Sequence, residues 1–214
     1  MTKKEKINFL IDYFQATNPD AKTELHYKTP YELIVAVILS AQCTDVRVNK
    51  ITPAFFKKYP TVYRLAETTQ EQVFELIKSC SYPNNKASHL LNMAKTVVSL
   101  FDGKIPDTRE KLEQLSGVGR KTANVLLSVA FNKPAMAVDT HVFRVSARLG
   151  LSPKAKTPLE TEKTLVKLLP GKILPKAHHW LILHGRYVCT AKKPKCESCG
   201  LTTTCSYFQE KQKK

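Results

Sequence analysis

Apolar residues recur at helical spacing over most of this chain, and the breaks between the periodic runs are sharp. Residues 5–16 put Ile7, Leu10, Ile11 and Phe14 on one face, and Asn18-Pro19-Asp20 ends the run. Thr29-Pro30 opens YELIVAVILSAQ, which is apolar nearly all round and so predicts a buried central helix. That helix stops in an abrupt polar cluster, Ser40-Ala41-Gln42-Cys43-Thr44-Asp45. Such a cluster suits the lining of a pocket, and capping of the next helix by Thr44 or Asp45 accounts for it equally well. Helical patterns continue over 45–58, 70–79, 86–101 and 109–115. They are separated by Tyr59-Pro60, by the loop Ser81-Tyr82-Pro83-Asn84-Asn85, and by Asp102-Gly103. Further helices are predicted at 139–149, 158–169 and about 174–188, with Trp180 packed in the core beside Leu181 and Leu183. No alternating run is long enough for a strand, so the expected fold class is all-α.

One stretch organises the rest. Residues 115–139 read LSGVGRKTANVLLSVAFNKPAMAVD. Amphipathic runs flank Gly117-Val118-Gly119, with Lys111, Leu112 and Leu115 before it and Thr122, Val125, Leu126 and Val129 after it. Glycine permits positive φ and close approach of another backbone, so the pattern is a helix-turn-helix hairpin whose second helix aims its first amides outward. Those amides, at the positive end of a helix dipole, suit a phosphate. Arg120 and Lys121 fall in that first turn. The neighbouring cation and the dipole both work against an ammonium at Lys121, leaving a fraction of neutral, nucleophilic amine. Val138-Asp139-Thr140-His141 then sets a carboxylate just ahead of another apolar-periodic segment, Val142, Val145 and Leu149. His141, with Arg144 nearby, can meet a phosphate, edge a pocket or complete a cap.

Charge narrows the choice of partner. Lys and Arg number 34 against 18 Asp and Glu, a net +16 over 214 residues, which favours a polyanion. No apolar run approaches the ~20 residues of a membrane span. The start, MTKKEKINFLIDYF, mixes in acids, has no small-residue cleavage site, and is not a secretory signal.

Four of the six cysteines sit in one short segment as Cys189-x6-Cys196-x2-Cys199-x5-Cys205. This is the spacing of a metal clip and not of a disulfide framework, and it suits a reducing cytoplasm. Four thiolates accept either zinc or a [4Fe–4S] cluster. Between the first two lies Thr190-Ala191-Lys192-Lys193-Pro194-Lys195, a tethered loop whose lysines suit phosphate contact. Cys43 is read as packing.

From about Pro30 to Cys205 the chain closely resembles the endonuclease III family of helix-hairpin-helix DNA glycosylases. The carriers are LSGVGRKT, Pro134, Asp139, S-A-Q-x-T-D and the 6-2-5 cysteine spacing. The resemblance implies two helical lobes with a DNA-binding cleft between them. One is a six-helix barrel over 23–134 with the hairpin; the other joins 1–22 to 135–214 and holds a structural [4Fe–4S] cluster on Cys189, Cys196, Cys199 and Cys205. It implies a bifunctional glycosylase and abasic-site lyase acting on double-stranded DNA with oxidised or ring-saturated pyrimidines or abasic sites. Lys121 would be the nucleophile and Asp139 its electrostatic partner. Gln42 would fill the gap left by the extruded base, and Asp45 would lie near the pocket. The loop at 81–85 would wedge into the duplex; many relatives carry an aliphatic residue then tyrosine there, where this chain has Tyr82-Pro83. Gly117, Val118, Gly119, Arg120, His141, Lys192, Lys193 and Lys195 complete the expected DNA contacts. A monomer in the cytoplasm, associated with the nucleoid through DNA, is expected. Two other readings are an adenine-excising relative, which lacks the nucleophilic lysine, and a non-enzymatic hairpin module with a structural metal.

Overall fold

The computed structural model describes residues 2–212, which are helical or irregular and contain no strand. The chain divides into two compact units: Thr23–Asn132, and a second built from both ends, Met1–Lys22 with Lys133–Lys214. The division falls two residues before the 134/135 boundary expected from sequence. Among the described residues no helix is long and apolar enough to cross a membrane.

The unit formed by the middle of the chain holds α2 (Pro30–Ser40), α3 (Asp45–Lys58), α4 (Val62–Ala66), α5 (Gln70–Ile77), α6 (Pro83–Phe101), α7 (Arg109–Leu112) and α8 (Arg120–Val129). Helix α2 is its axis, with Leu33, Ile34, Val35, Ala36 and Leu39 fully buried. Seven helices stand where six were expected, because α4 is a single turn between Pro60 and Glu67. Helix α6 starts at Pro83, three residues early, since proline at the first helical position has the right φ and forfeits no bonded amide. The expected loop 81–85 is thereby shortened, and Tyr82 becomes the residue that leads into α6.

Threonine sets most of the starts. Thr29, Thr44, Thr61 and Thr69 each accept a hydrogen bond from the amide three residues on, a cap worth about 1 kcal/mol. At α3 the cap is therefore Thr44, which leaves Asp45 as the first helical residue.

The other unit holds α1 (Lys3–Thr17), α9 (Thr140–Arg148), α10 (Pro158–Leu168), α11 (Leu174–Tyr187) and α12 (Ser206–Gln212), with a 3₁₀ turn at Gly171–Ile173. Its core joins Ile7, Leu10 and Phe14 of α1 to Val142, Val145, Leu165, Trp180 and Leu181. Trp180 stacks on Phe14 with ring centroids 5.7 Å apart and 13° between planes. Its indole N–H donates to Asn18 O at 2.9 Å, so the polar edge of a buried ring is satisfied at the end of α1. Leu183, expected in the core, is only half-buried.

Candidate functional site

Two helix N-termini carry the expected reactive pair, one in each unit. Helix α8 begins at Gly119, which offers no side chain to its first turn, and no side chain caps it. Arg120 and Lys121 both lie exposed in that turn. The two hairpin glycines serve different ends. Gly117 has φ +78°, and a Cβ there would come within 3.0 Å of His89 Cβ, so the turn itself demands glycine. Gly119 is outside the left-handed region, and a Cβ there would meet nothing within 4 Å. Its bareness keeps space open in front of the α8 amides, where a phosphate of another molecule can approach. Val118 is buried at 5 % exposure and its amide donates to Leu115 O at 3.0 Å, so it anchors the turn and its side chain is not available as the DNA contact expected from sequence. His89 Nδ1 and Ser116 Oγ share a 2.9 Å hydrogen bond that ties the hairpin to α6.

Asp139 opens α9, and its Oδ1 accepts from Val142 N at 2.8 Å. This fixes the carboxylate through one oxygen while a carboxylate's second oxygen keeps its acceptor capacity. His141 is half-buried, with Nδ1 3.2 Å from Arg144 Nη2. A guanidinium only donates, so this nitrogen of His141 is the acceptor. Arg144 also donates to Gly185 O at 2.8 Å and to Cys189 O at 3.1 Å, linking the Asp139 helix to the start of the cysteine clip.

All four clip cysteines line one pocket with Leu149, His184 and Tyr207. Burial raises the Cys199 and Cys205 thiols above the usual range, and neighbouring clip thiols push the same way. Loss of those protons to a cationic centre relieves both effects. Among the described residues no three of His, Cys, Asp or Glu converge closely enough to hold a single ion. Four thiols around one hollow are a donor set that fits a thiolate-held centre, zinc and [4Fe–4S] alike. His184 Nε2 lies 3.8 Å from Cys199 Sγ, and burial takes its pKa down to about 4, so the ring there is neutral.

The basic loop is held by its own backbone. Arg148 donates to Thr190 O (2.7 Å) and Ala191 O (2.9 Å) and lies over the Tyr207 ring at 4.6 Å. Thr190 Oγ1 donates to Lys193 O (2.6 Å), and Lys195 N donates to Val188 O (2.9 Å). Lys192, Lys193 and Lys195 stay exposed on this rigid base.

Gln42 and Tyr82 come together in the middle unit. Both are exposed, and both hold left-handed backbones at φ +53°. Tyr82 is 62 % exposed and not folded back on the core. The Ser81 hydroxyl donates to Gln42 O, so the two loops are joined. Asp45 is half-buried at the start of α3. Cys43 is half-buried beside the buried Cys80, in keeping with packing. Sequence reasoning missed Ser81, His89, Arg148 and the buried Lys86. Only Arg148 had a legible signal, its i,i+4 spacing from Arg144 on one helix face.

Residues 35–171 match the family model of the HhH-GPD superfamily base excision DNA repair proteins. Endonuclease III of Rickettsia conorii is 45% identical over 202 residues, covering 94% of this chain and 96% of that protein. Endonuclease III of Escherichia coli K12 is 42% identical over 210 residues, covering 98% and 99%. A solved endonuclease III–DNA covalent intermediate, trapped as an estranged-adenine complex, superposes with TM-score 0.91 at 42% identity and covers 99% of both chains. A non-covalent endonuclease III–DNA complex also superposes at 0.91 with full coverage. On the strength of a family model spanning most of the chain and full-length relatives above 40% identity, this protein belongs to the endonuclease III family of the HhH-GPD superfamily.

Proposed function

We infer that the chain is a base-excision-repair DNA glycosylase with abasic-site lyase activity, acting on oxidised or ring-saturated pyrimidines in double-stranded DNA. Chemistry on a paired base requires taking it out of the stack. The Lys121 amine attacks the sugar C1′, and the base leaves with the bonding pair and takes up a proton. Asp139 stabilises the positive charge developing on the sugar and accepts or relays protons. The amine loses a proton, its lone pair forms the imine as the C1′–O4′ bond breaks and O4′ takes up a proton, and the imine acidifies C2′–H. Removal of that proton breaks the C3′–O bond and releases the 3′ phosphate, and water then frees Lys121. Gln42 and Tyr82 occupy the gap in the duplex, the tyrosine ring stacking on bases. The Gly119 end of α8 and Lys192, Lys193 and Lys195 hold phosphates without reading sequence.

The observation that carries this reading is a full-length match to a relative caught in a covalent bond to DNA, combined with an exposed amine on an uncapped helix N-terminus. A non-enzymatic hairpin module needs neither that amine nor the carboxylate of Asp139. Borohydride should trap a protein–DNA adduct on damaged duplex. Lys121→Gln should abolish the adduct and still bind DNA; an adduct that survives the substitution would place the nucleophile elsewhere.

Cys189, Cys196, Cys199 and Cys205 would hold the [4Fe–4S] cluster, which supplies a cross-link between the basic loop and the chain beyond Leu201. Freshly purified protein should contain iron and sulfide, and Cys199→Ser should lose both along with stability. Folded protein that binds zinc alone would remove the cluster from the account. The protein works as a monomer in the cytoplasm, on the DNA of the nucleoid.

A further inference from the structure

We propose that Lys86 is a positioning residue that locks the Gln42 and Tyr82 loops into one rigid element. The inference rests on the reading of Gln42 and Tyr82 as the residues that occupy the opened duplex. Lys86 lies in the first turn of α6 and is only 4 % exposed. Its Nζ donates to Leu39 O at 2.8 Å and to Ser81 Oγ at 3.4 Å. Ser81 Oγ passes its own proton onward to Gln42 O. The Lys86 amide meanwhile donates to Tyr82 O at 3.1 Å. One residue therefore grips the Tyr82 loop through its main chain, and the end of α2 and the Gln42 loop through its side chain.

Two further facts say what the grip is for. Gln42 and Tyr82 both stand at φ +53°, a conformation that residues with side chains hold only when their surroundings over-determine it. The buried ammonium, in turn, sits against the Leu39 carbonyl oxygen at the C-terminal end of α2, where a cation is favoured by the helix dipole. Burial lowers its proton affinity, and the titratable groups that face it, the thiols of Cys80 and Cys43, act in the opposite direction. A methionine of similar length would fill this space without a buried charge to desolvate. What methionine cannot supply is the pair of hydrogen bonds that fix one loop against the other.

The test pairs a structural readout with a functional one. In Lys86→Met, amide hydrogen exchange at residues 41–43 and 81–83 should accelerate, while Lys86→Arg should stay close to wild type. Excision of a damaged base should fall about tenfold in Lys86→Met, the scale of a small misplacement, with cleavage at a pre-formed abasic site falling much less. Combined with Gln42→Ala, the loss in excision should be less than additive, because both substitutions disable one device. Unchanged exchange in both loops, or additive losses, would overturn the proposal. If exchange accelerates but Gln42→Ala leaves excision intact, the gap-filling reading of Gln42 fails and the structural lock stands. Should Lys86→Met not fold, Ser81→Ala removes only the middle link and should reproduce the loosening of residues 41–43; its failure to do so would equally overturn the proposal.

Discussion

Helices α8 and α9 begin in opposite ways. The first starts on a glycine with no side-chain cap and open space ahead of it. The second starts on an aspartate that closes its own first turn, Oδ1 to Val142 N. An open start can serve as a receptor for another molecule's anion, and Lys121 is exposed on its rim. A closed start is a mount, in which the helix spends one of its amides to hold a carboxylate still. The same local physics thus leaves amides free to take up an anion in one place and fixes a carboxylate in the other. The presence or absence of one side chain decides which.

Breaking the mount while keeping its shape should have the larger effect. Asp139→Asn retains an oxygen to cap α9 but loses the charge, so the excision rate should drop by about 3–4 kcal/mol in barrier with little change in melting temperature. Asp139→Ala should show the same rate loss and also lose the cap, at about 1 kcal/mol of stability. A marked fall in stability for Asp139→Asn, without the rate loss, would make the residue a cap and nothing more.

The open start is sharpened by its two glycines. Gly117→Ala should destabilise the fold by roughly 1–2 kcal/mol, because it forces a left-handed alanine against His89. Gly119→Ala should cost less stability but weaken DNA binding by about 1.5–3 kcal/mol, the worth of a charge-assisted hydrogen bond lost at the α8 amides. If the two variants behave alike, the division of labour between the glycines is wrong.

The smallest effect is expected at the basic loop, where exposed lysine side chains, and not backbone amides, would meet phosphate. Lys193→Ala should weaken binding equally on all sequences and lower the slope of log K against log salt by about 0.9. Measurement at two or more salt concentrations is enough, and an unchanged slope would assign Lys193 to solvent.

Much of this was legible before any coordinates. Helix positions followed from 3.6-residue periodicity and the turn signals between runs, because a buried helical face leaves a repeat long enough to see. α4 was missed because five residues make barely more than a turn and carry no repeat. α12 was missed because none of its residues is buried. The start of α6 was misplaced because Pro83-Asn84-Asn85 reads as a turn, although proline also suits the first helical position. Lys121, Asp139 and the four cysteines stood out by type and spacing, and the structure sets the first two at the starts of α8 and α9 and the cysteines around one hollow. Ser81 and Lys86 were not, since a lysine in a polar segment looks solvated and its burial is fixed by residues 47 positions away in the chain. The inward turn of Val118 was visible in principle from its place between Leu115 and Leu126 on an apolar face.

The unit assembled from both ends of the chain has a consequence for biosynthesis. Everything in Thr23–Asn132 is available once residue 132 has been made, whereas residues 1–22 belong with 133–214. At about 5–20 residues per second, translation of the final stretch takes roughly 4–16 s. Throughout that interval α1 has left the ribosome with Ile7, Leu10 and Phe14 lacking the partners, Trp180 above all, that later bury them. The nascent chain is then a folded middle with a greasy leading helix, and its first-made segment is among the last to find its place.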